Sequence, residues 1–192
     1  MFYWFVCGIL SIAARIVYRY EVSGAENIPK EGAFILCSNH IHSYDPAMLA
    51  IATTRQLRFM AKKELFNKGL RSKFFRAMGA FPVDREAAGM ASYRDAMQTL
   101  SSGMGLVVFS QGTRMQKLNI SGAKGGVALF GVKSKAPIIP AGITGSYRPF
   151  SKLTVRFGKV ITLDDYYDQR LKSEMIESIM SGIMSEVEKL VD

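Results

Sequence analysis

The stretch AFILCSNHIHSYDP, residues 33–46, joins a short apolar run to a polar segment that contains both histidines of the chain. The apolar run at 33–37 has the length and composition of a buried β-strand. Asp45 precedes Pro46, and this pair predicts a helix with Asp45 as its N-cap and Pro46 at its first position. The stretch therefore predicts a strand, a tight turn and a helix, with His40 in the loop between them.

Short apolar runs and helical patterns alternate along the rest of the chain. Apolar runs bounded by turn residues predict strands at 33–37, 57–61, 80–83, 106–109, 137–143 and 153–157. The spacing of apolar residues predicts helices at 46–54, 65–78, 87–100, 123–133 and 169–190. This order is typical of a single α/β domain in which helices flank a central, mostly buried sheet.

Size and composition agree with one folded domain. At 192 residues the chain can bury one core but is short for two, and its 48% hydrophobic content excludes a disordered protein. Cys7 and Cys37 lie in separate apolar runs, without a CxxC pair. This pattern argues against a disulfide framework or a zinc site and is typical of a reducing compartment.

The N-terminal segment predicts a membrane-associating helix. Residues 2–18 are apolar except for Ser11 and Arg15, and a helix of this length rises about 25 Å, less than the roughly 30 Å of a bilayer core. Aromatic and basic side chains near its ends favour a helix that lies in one leaflet, with packing on the domain core as the alternative. A cleaved signal peptide is not favoured, because no basic segment precedes the run. We predict a membrane-anchoring helix at 1–22, an α/β domain at 23–192, and a monotopic or peripheral location on the cytoplasmic face.

The formal charge of +9 is concentrated in one part of the chain. Nine basic and three acidic residues fall between Arg55 and Glu86, a net charge of +6, whereas residues 164–192 carry a net charge of −5. Such a segment indicates an anionic partner, for example a phosphate-bearing substrate, an anionic lipid or a nucleic acid, or else a solvated basic face. The basic amphipathic helix predicted at 65–78 fits either a bilayer surface or the domain core.

Spacing alone leaves three interpretations of His40 and Asp45. Five residues along one helix would place the two side chains about 140° apart, so only a turn can bring them together. Asp45 could serve merely as a cap, and a metal site is disfavoured because the chain offers no further ligand cluster to complete it. In the third interpretation, Asp45 orients His40, which takes a proton from a hydroxyl. Because no GxSxG motif is present and Ser146 lacks the second glycine, that hydroxyl would belong to a substrate.

Three further stretches carry residues suited to a site. GAFPVDR, at 79–85, places Arg85 after a short strand, where a guanidinium can hold a phosphate through two hydrogen bonds. FSQGTR, at 109–114, combines a glycine turn, a hydroxyl and Arg114, so its backbone N–H groups can host an anion or an oxyanion. APIIPAG, at 136–142, predicts a buried strand that forms a wall. Each stretch alone is a weak signal, because arginines commonly follow strands.

In the order in which they occur, these three stretches and the earlier NHIHSYD resemble the sequence blocks of the lysophosphatidate acyltransferase family of glycerolipid acyltransferases. The family pattern is NHxxxxD, a GxxPVDR-like block, FPEGTR and a proline-rich strand, and the resemblance spans residues 23–158. It implies that His40 is the general base and that Asp45 orients it. It further implies phosphate binding by Arg85 and Arg114, and a substrate pocket that includes Asn39, Gln111, Gly112 and Thr113.

The resemblance also implies a reaction, in which an acyl group moves from acyl-CoA or acyl carrier protein to the free hydroxyl of lysophosphatidate and gives phosphatidate. It implies no metal or organic cofactor. The expected partners are the membrane lipid bilayer, the lysophospholipid acceptor and the thioester donor, with no nucleic acid. Glycerol 3-phosphate or another lysolipid as acceptor, and a non-catalytic lipid-binding module, are the alternatives. The family usually has Pro-Glu where this chain has Ser110-Gln111, a loss of charge that bears on acceptor preference.

Overall fold

A mixed β-sheet lies at the centre of the structure, a computed structural model that describes residues 1–67, 69–83, 90–110, 125–167 and 169–192. Its strands within these residues are β1 (Arg19–Ser23), β2 (Phe34–Ser38), β3 (Leu57–Lys62), β4 (Ala80–Val83), β5 (Gly105–Phe109), β6 (Ile138–Gly145) and β7 (Lys152–Phe157). The helices are α1 (Phe2–Val17), α2 (Asp45–Ile51), α3 (Gly69–Ala77), α4 (Met90–Ser101), α5 (Gly126–Ser134) and α6 (Ser173–Val191).

The strand order across the sheet is β1-β7-β6-β2-β5-β3-β4. β6 and β7 pair antiparallel, whereas the other neighbouring pairs are parallel. β2 lies in the middle, and all five of its residues are buried. Because β2 to β6 all run in one direction, their C-terminal ends meet at one end of the sheet, where open α/β folds commonly bind ligands.

Helices cover both faces of the sheet. On one face, buried side chains of α1 and α2 join a hydrophobic cluster with the strands, and α3 adds Phe75 at its margin. On the other face, α4, α5 and α6 share a second cluster with the sheet. Burial of these apolar faces on both sides is what holds a largely parallel sheet in a stable fold.

The predicted α/β domain with a central, helix-flanked sheet is confirmed, and the six predicted strands end within two residues of the observed ones. The continuous helix predicted at 65–78 is wrong: the structure has a 3₁₀ turn, Lys63–Phe66, and then α3. Gly69 at the start of α3 has a φ of 67°, a left-handed value that no continuous helix contains. The first residues of the helices predicted at 87–100 and 123–133 lie outside the described residues.

β1 has no counterpart among the predicted strands. Most of Arg19–Ser23 is exposed, so its sequence lacks the apolar pattern that indicates a strand. It joins the edge of the sheet by pairing in parallel with β7. The helical segment predicted at 1–22 is therefore too long, because α1 ends at Val17 and the chain turns into this strand.

α1 has one face on the core and one face in solvent. Tyr3, Cys7 and Ala14 are buried, and the Tyr3 hydroxyl accepts a hydrogen bond from the backbone N–H of Leu57 at 3.2 Å. Large apolar side chains cover the opposite, exposed face. Among the helices that the described residues form, none has the length and apolar character needed to cross a membrane. Association of α1 with a membrane surface stays a prediction.

The proline-rich block forms β6, which is buried from Ile138 to Ile143. Gly142 allows α6 to approach this strand closely, because a Cβ at that position would lie 2.6 Å from the Cβ of Leu190. The carbonyl of Leu190 also accepts a hydrogen bond from the guanidinium of Arg156 at 2.8 Å. The strand is thereby fixed from one side, and its C-terminal end forms one wall of the site described next.

Candidate active site

The side chain of Asn39 fixes the point where the loop after β2 leaves the sheet. Its amide nitrogen donates to the carbonyl of Ile143, and its amide oxygen accepts from the N–H of the same residue, both at 2.8 Å. The buried amide thus imitates one more pairing between β2 and β6, beyond the last backbone pair of Ser38 and Ala141. Because its oxygen and nitrogen are both engaged by Ile143, the geometry gives Asn39 a structural role, and the predicted lining of a substrate pocket stays a prediction.

The turn predicted from the sequence brings His40 and Asp45 together. The Nδ1 atom of His40 lies 2.7 Å from the Oδ2 atom of Asp45. The Asp45 side chain is fully buried, and that of His40 is 12% exposed. Since a carboxylate can only accept, Nδ1 carries the hydrogen, and Nε2 is left as the ring nitrogen with a lone pair. This is the arrangement that a histidine base requires.

The carboxylate of Asp45 also closes the loop. Its Oδ2 atom accepts hydrogen bonds from the backbone N–H groups of Ile41, at 2.6 Å, and His42, at 2.8 Å. The predicted N-cap role of Asp45 is wrong: Tyr44 occupies the N-cap position, Asp45 is the first residue of α2, and its carboxylate points back to the loop. Hydrogen-bond donors from the loop are what make this buried charge tolerable.

A tyrosine from the far end of β6 completes the contacts of this carboxylate. The hydroxyl of Tyr147 donates to the Oδ1 atom of Asp45 at 2.5 Å. Burial, and next the charge of Asp45, raise the pKa of Tyr147 well above its usual value, so the hydroxyl remains a donor at neutral pH. No sequence pattern marks Tyr147 as a site residue, because it stands 102 residues from Asp45 and outside the four blocks.

Aromatic rings pack against both histidines. The ring of Phe109 stacks on His40, with centroids 4.1 Å apart, and the ring of Tyr147 stacks on His42, with centroids 4.2 Å apart. Phe109 is the last residue of β5, the neighbour of β2, so the sheet itself sets its position. It is also the first residue of the FSQGTR block, whose polar residues alone suggest a site from the sequence.

A cleft of about 440 Å³ opens next to the loop after β2. It is lined by the loop after β2 and by the segment that follows β6, through Ile41, His42, Gly145, Ser146, Tyr147 and Arg148. The backbone N–H of Tyr44 donates to Nδ1 of His42 at 3.3 Å, so His42 has a local structural contact on this wall. The cleft thus borders the loop that carries His40 and the segment that carries Tyr147.

The other predicted site residues, Arg85, Gln111, Gly112, Thr113 and Arg114, lie outside the described residues, and their roles stay predictions. The strands that precede them are described. β4 ends at Val83 and β5 at Phe109, both at the same end of the sheet as the loop that carries His40. The backbone N–H of Ser110 donates to the carbonyl of Ser38 at 3.3 Å, so the FSQGTR block begins directly beside the end of β2.

The described residues at this end of the sheet include one cysteine, Cys37, and several metal-ligating residue types. Cys37 is fully buried in β2, and burial raises the pKa of its thiol to about 12, so it remains protonated at neutral pH. Within the part of the chain that the structure describes, no three His, Cys, Asp or Glu side chains form a group that could hold a metal ion. The expectation that no metal or organic cofactor takes part stays a prediction.

Comparison with known proteins identifies the family. A protein-family model described as Acyltransferase matches residues 19–144, which is more than half of the chain and contains the His40–Asp45 pair. The chain therefore belongs to the acyltransferase family, and the resemblance indicated by its four sequence blocks is confirmed.

Two curated relatives and one solved structure illustrate this similarity. The chain is 28% identical over 204 residues to a 1-acyl-sn-glycerol-3-phosphate acyltransferase of Streptococcus pneumoniae, covering 99% of this chain and 73% of the relative. It is 30% identical over 144 residues to a protein of the same name in Bacillus subtilis, covering 74% and 71% of the two chains. Its fold is similar to the crystal structure of the 1-acyl-sn-glycerophosphate acyltransferase of Thermotoga maritima, with a TM-score of 0.74 and 22% identity over 98% of this chain and 80% of that one.

Proposed function

We propose that this protein transfers a fatty acyl group from an acyl thioester to the free hydroxyl of lysophosphatidate and so forms phosphatidate. Membership of the acyltransferase family and the names of the two bacterial relatives support this reaction. The observation that carries the proposal is the 2.7 Å contact between Nδ1 of His40 and the buried Asp45, which leaves Nε2 able to accept a proton. A hydroxyl needs such a base to become a nucleophile near neutral pH.

The proposed chemical steps conserve every proton. Nε2 of His40 removes the proton from the hydroxyl of the acceptor as its oxygen attacks the thioester carbonyl carbon. The carbonyl oxygen becomes an oxyanion, which backbone N–H groups of the Gly112-Thr113 turn are proposed to stabilise. When this intermediate collapses, the carbon–sulfur bond breaks and the departing thiolate takes the proton back from His40. The products are an ester and a free thiol, and Asp45 stabilises the imidazolium between the two transfers.

Two substrates must meet at this base. For the acceptor, we propose that Arg85 and Arg114 bind the phosphate of lysophosphatidate, since guanidinium groups pair with phosphate through two parallel hydrogen bonds. For the donor, we propose acyl-CoA or acyl carrier protein, which present the same kind of thioester. We propose that the reaction needs no metal or organic cofactor, because the thioester already carries a good leaving group.

We also propose that the exposed face of α1 lies on the bilayer that supplies the acceptor. Phe2, Phe5, Ile9, Ile12 and Ile16 recur every three or four residues and are each more than half exposed, so they form one apolar stripe. Trp4 beside them is 43% exposed, and this residue type favours the interface between lipid and water. An apolar stripe of this length is unusual on a surface that only water contacts.

α3 extends this stripe and adds charge. The ring of Phe74 on α3 lies edge-on to that of Phe2, with centroids 6.3 Å apart, and Leu70 is 84% exposed. Arg71, Lys73 and Arg76 on the same helix are exposed. An apolar surface bordered by cations fits an anionic lipid bilayer, and we propose monotopic or peripheral binding to the cytoplasmic face through it.

An acyl-transfer assay tests the proposed reaction. The purified chain is mixed with vesicles, a radiolabelled acyl-CoA and one acceptor at a time from a panel of lysophosphatidate, glycerol 3-phosphate and lysophosphatidylcholine. Formation of labelled phosphatidate from lysophosphatidate, at a higher kcat/KM than with the other two acceptors, is the expected result. A higher kcat/KM with another acceptor would correct the substrate, and no transfer with any acceptor or with acyl carrier protein as donor would refute the proposed activity.

A further inference from the structure

The two oxygens of the Asp45 carboxylate have separate partners. Oδ2 accepts from the His40 ring and from the backbone N–H groups of the loop, at 2.6–2.8 Å. Oδ1 accepts from the hydroxyl of Tyr147. Because one oxygen faces the loop and the other faces the segment after β6, the Tyr147 bond fixes the rotation of the carboxylate about its last side-chain torsion. That rotation decides how well Oδ2 is aimed at the imidazole.

The position of Tyr147 is itself well determined. It follows the end of β6 by two residues, and its ring packs parallel to His42, at an interplanar angle of 22°. The ring of Tyr18, which directly follows α1, meets it edge-on at a centroid distance of 5.9 Å. These two ring contacts hold the side chain in the position from which its hydroxyl donates to Asp45.

We propose that Tyr147 is a positioning residue of the acyl transfer: through Asp45, it holds the carboxylate that orients His40 and limits how strongly that carboxylate retains the protonated ring. This inference rests on the proposed function of His40 as the base. A hydrogen bond to Oδ1 draws negative charge away from Oδ2. The imidazolium formed during the reaction is then held strongly enough to form and weakly enough to return its proton to the leaving thiolate.

Other groups near this network have to be considered in a test. Those that face it from the described elements are His40, His42, Tyr18, Tyr20, Tyr44 and Arg148. Since histidine side chains change charge near neutral pH, His42 is the one whose own titration would confuse the result. The chain has only two histidines, so the His40 signal is assigned as the one that is missing from the spectrum of His40→Ala, and His42 stays in place against the Tyr147 ring. All variants are therefore made in the parent chain.

The first test is Tyr147→Phe, which removes only the hydroxyl. We expect kcat to fall about tenfold and KM to change less than about twofold, because a hydrogen bond to a charged group is lost without a change in the binding surface. We expect the acid limb of the pH–activity profile to move to higher pH, because Asp45 then retains the protonated His40 more strongly. Tyr44→Phe is the matched control: its ring lies 6.1 Å from that of Tyr147, its side chain is 57% exposed, and neither kcat nor the acid limb should change.

The second test measures His40 directly and needs no turnover. Proton NMR follows the assigned His40 signal against pH, and its midpoint should rise by about half a pH unit or more in Tyr147→Phe. Replacement of Tyr147 by a difluorotyrosine keeps the ring and makes the hydroxyl a stronger donor, so the midpoint should fall. This second replacement still decides the question if the phenylalanine variant does not fold.

The outcomes separate this inference from the proposed function. Opposite shifts of the midpoint in the two variants, with a lower kcat for phenylalanine, support the role of Tyr147. An unchanged midpoint, or an unchanged kcat, overturns it, and a lower kcat with an unchanged midpoint assigns Tyr147 to packing alone. If His40→Ala keeps its activity, the assignment of His40 as the base fails and this inference fails with it, whereas a parent chain without acyl transfer would refute the proposed function. If His40→Ala is inactive while Tyr147→Phe behaves as the parent, only the role of Tyr147 is lost.

Discussion

The ring of Phe109 lies nearly parallel to the imidazole of His40, with centroids 4.1 Å apart and an interplanar angle of 19°. Phe109 ends β5, and it is paired in register with Ser38 at the end of β2. The face of the imidazole is thus held by one strand, while its Nδ1 edge is held by Asp45. Because both supports belong to the folded domain, the orientation of the ring is set before a substrate arrives.

Replacement of each histidine in turn tests which of the two acts as the proposed base. We expect His40→Ala to lower kcat by about 10²–10⁴, the usual contribution of a general base, with little change in the free energy of unfolding. His42→Ala, in the same loop, should keep kcat within about fivefold of the parent, because it removes one ring contact of Tyr147 but neither the Tyr147 hydroxyl nor the imidazole of His40. An assay of acyl transfer from radiolabelled acyl-CoA measures kcat of both variants. Equal losses in the two variants would contradict the assignment of His40.

Asn39→Ala should destabilise the domain. It leaves the buried N–H and carbonyl of Ile143 without their partner, which costs about 2–4 kcal/mol in the free energy of unfolding. In a chain of this size the melting temperature should then fall by about 5–12 °C. Asn67→Ala is the control, because that asparagine is exposed and should change the melting temperature little. Differential scanning calorimetry compares the two, and equal melting temperatures would argue against a structural role for Asn39.

The exposed stripe of α1 can be made polar without disturbing the core. In the triple variant Phe5→Ser, Ile9→Ser, Ile12→Ser, we expect affinity for vesicles that contain phosphatidylglycerol to fall about 100-fold or more, because three apolar side chains no longer enter the lipid. The melting temperature should not fall. Val160→Ser, at a residue that is 45% exposed but lies outside α1, is the control for a lost apolar side chain. Cosedimentation measures binding, and unchanged binding of the triple variant would exclude this surface.

Arg114→Ala should affect acceptors according to their charge. If Arg114 binds the phosphate of lysophosphatidate through two hydrogen bonds, its removal should raise KM for this acceptor about tenfold or more. For monoacylglycerol, which has no phosphate, KM should change little. Arg94→Ala removes an exposed arginine from α4 and should leave both values near those of the parent. A similar rise for the charged and the neutral acceptor would show that Arg114 does not bind phosphate.

Much of the fold could be predicted from the sequence, because buried parallel strands are apolar on both faces and appear as short continuous runs. β1 could not be, since an exposed strand at the edge of a sheet carries no such signal. The break before α3 was not predicted either, because the apolar spacing continues across it and only Gly69 marks it. Tertiary contacts, rather than local preference, decide both features.

Only those parts of the site that are close in sequence could be predicted. His40 and Asp45 are close in sequence, and the motif order supplied their roles. The N-cap assignment failed because a carboxylate at the start of a helix can bond either to the helix or to the preceding loop, and the pattern Asp-Pro does not distinguish these. Tyr147 and Phe109 reach the site through the pairing of strands that are distant in sequence, so they became visible only in the fold.

One carboxylate both closes the loop and bonds to the imidazole of His40, and this double role limits how the protein can change during evolution. His40 could be replaced during evolution and leave an inactive but intact binding domain, since the turn does not depend on the imidazole. Asp45 could not be replaced in the same way, because Ile41 and His42 bond to it through their backbones. We therefore expect inactive descendants of such a chain to lose the histidine first and to keep the aspartate as a remnant of the former chemistry.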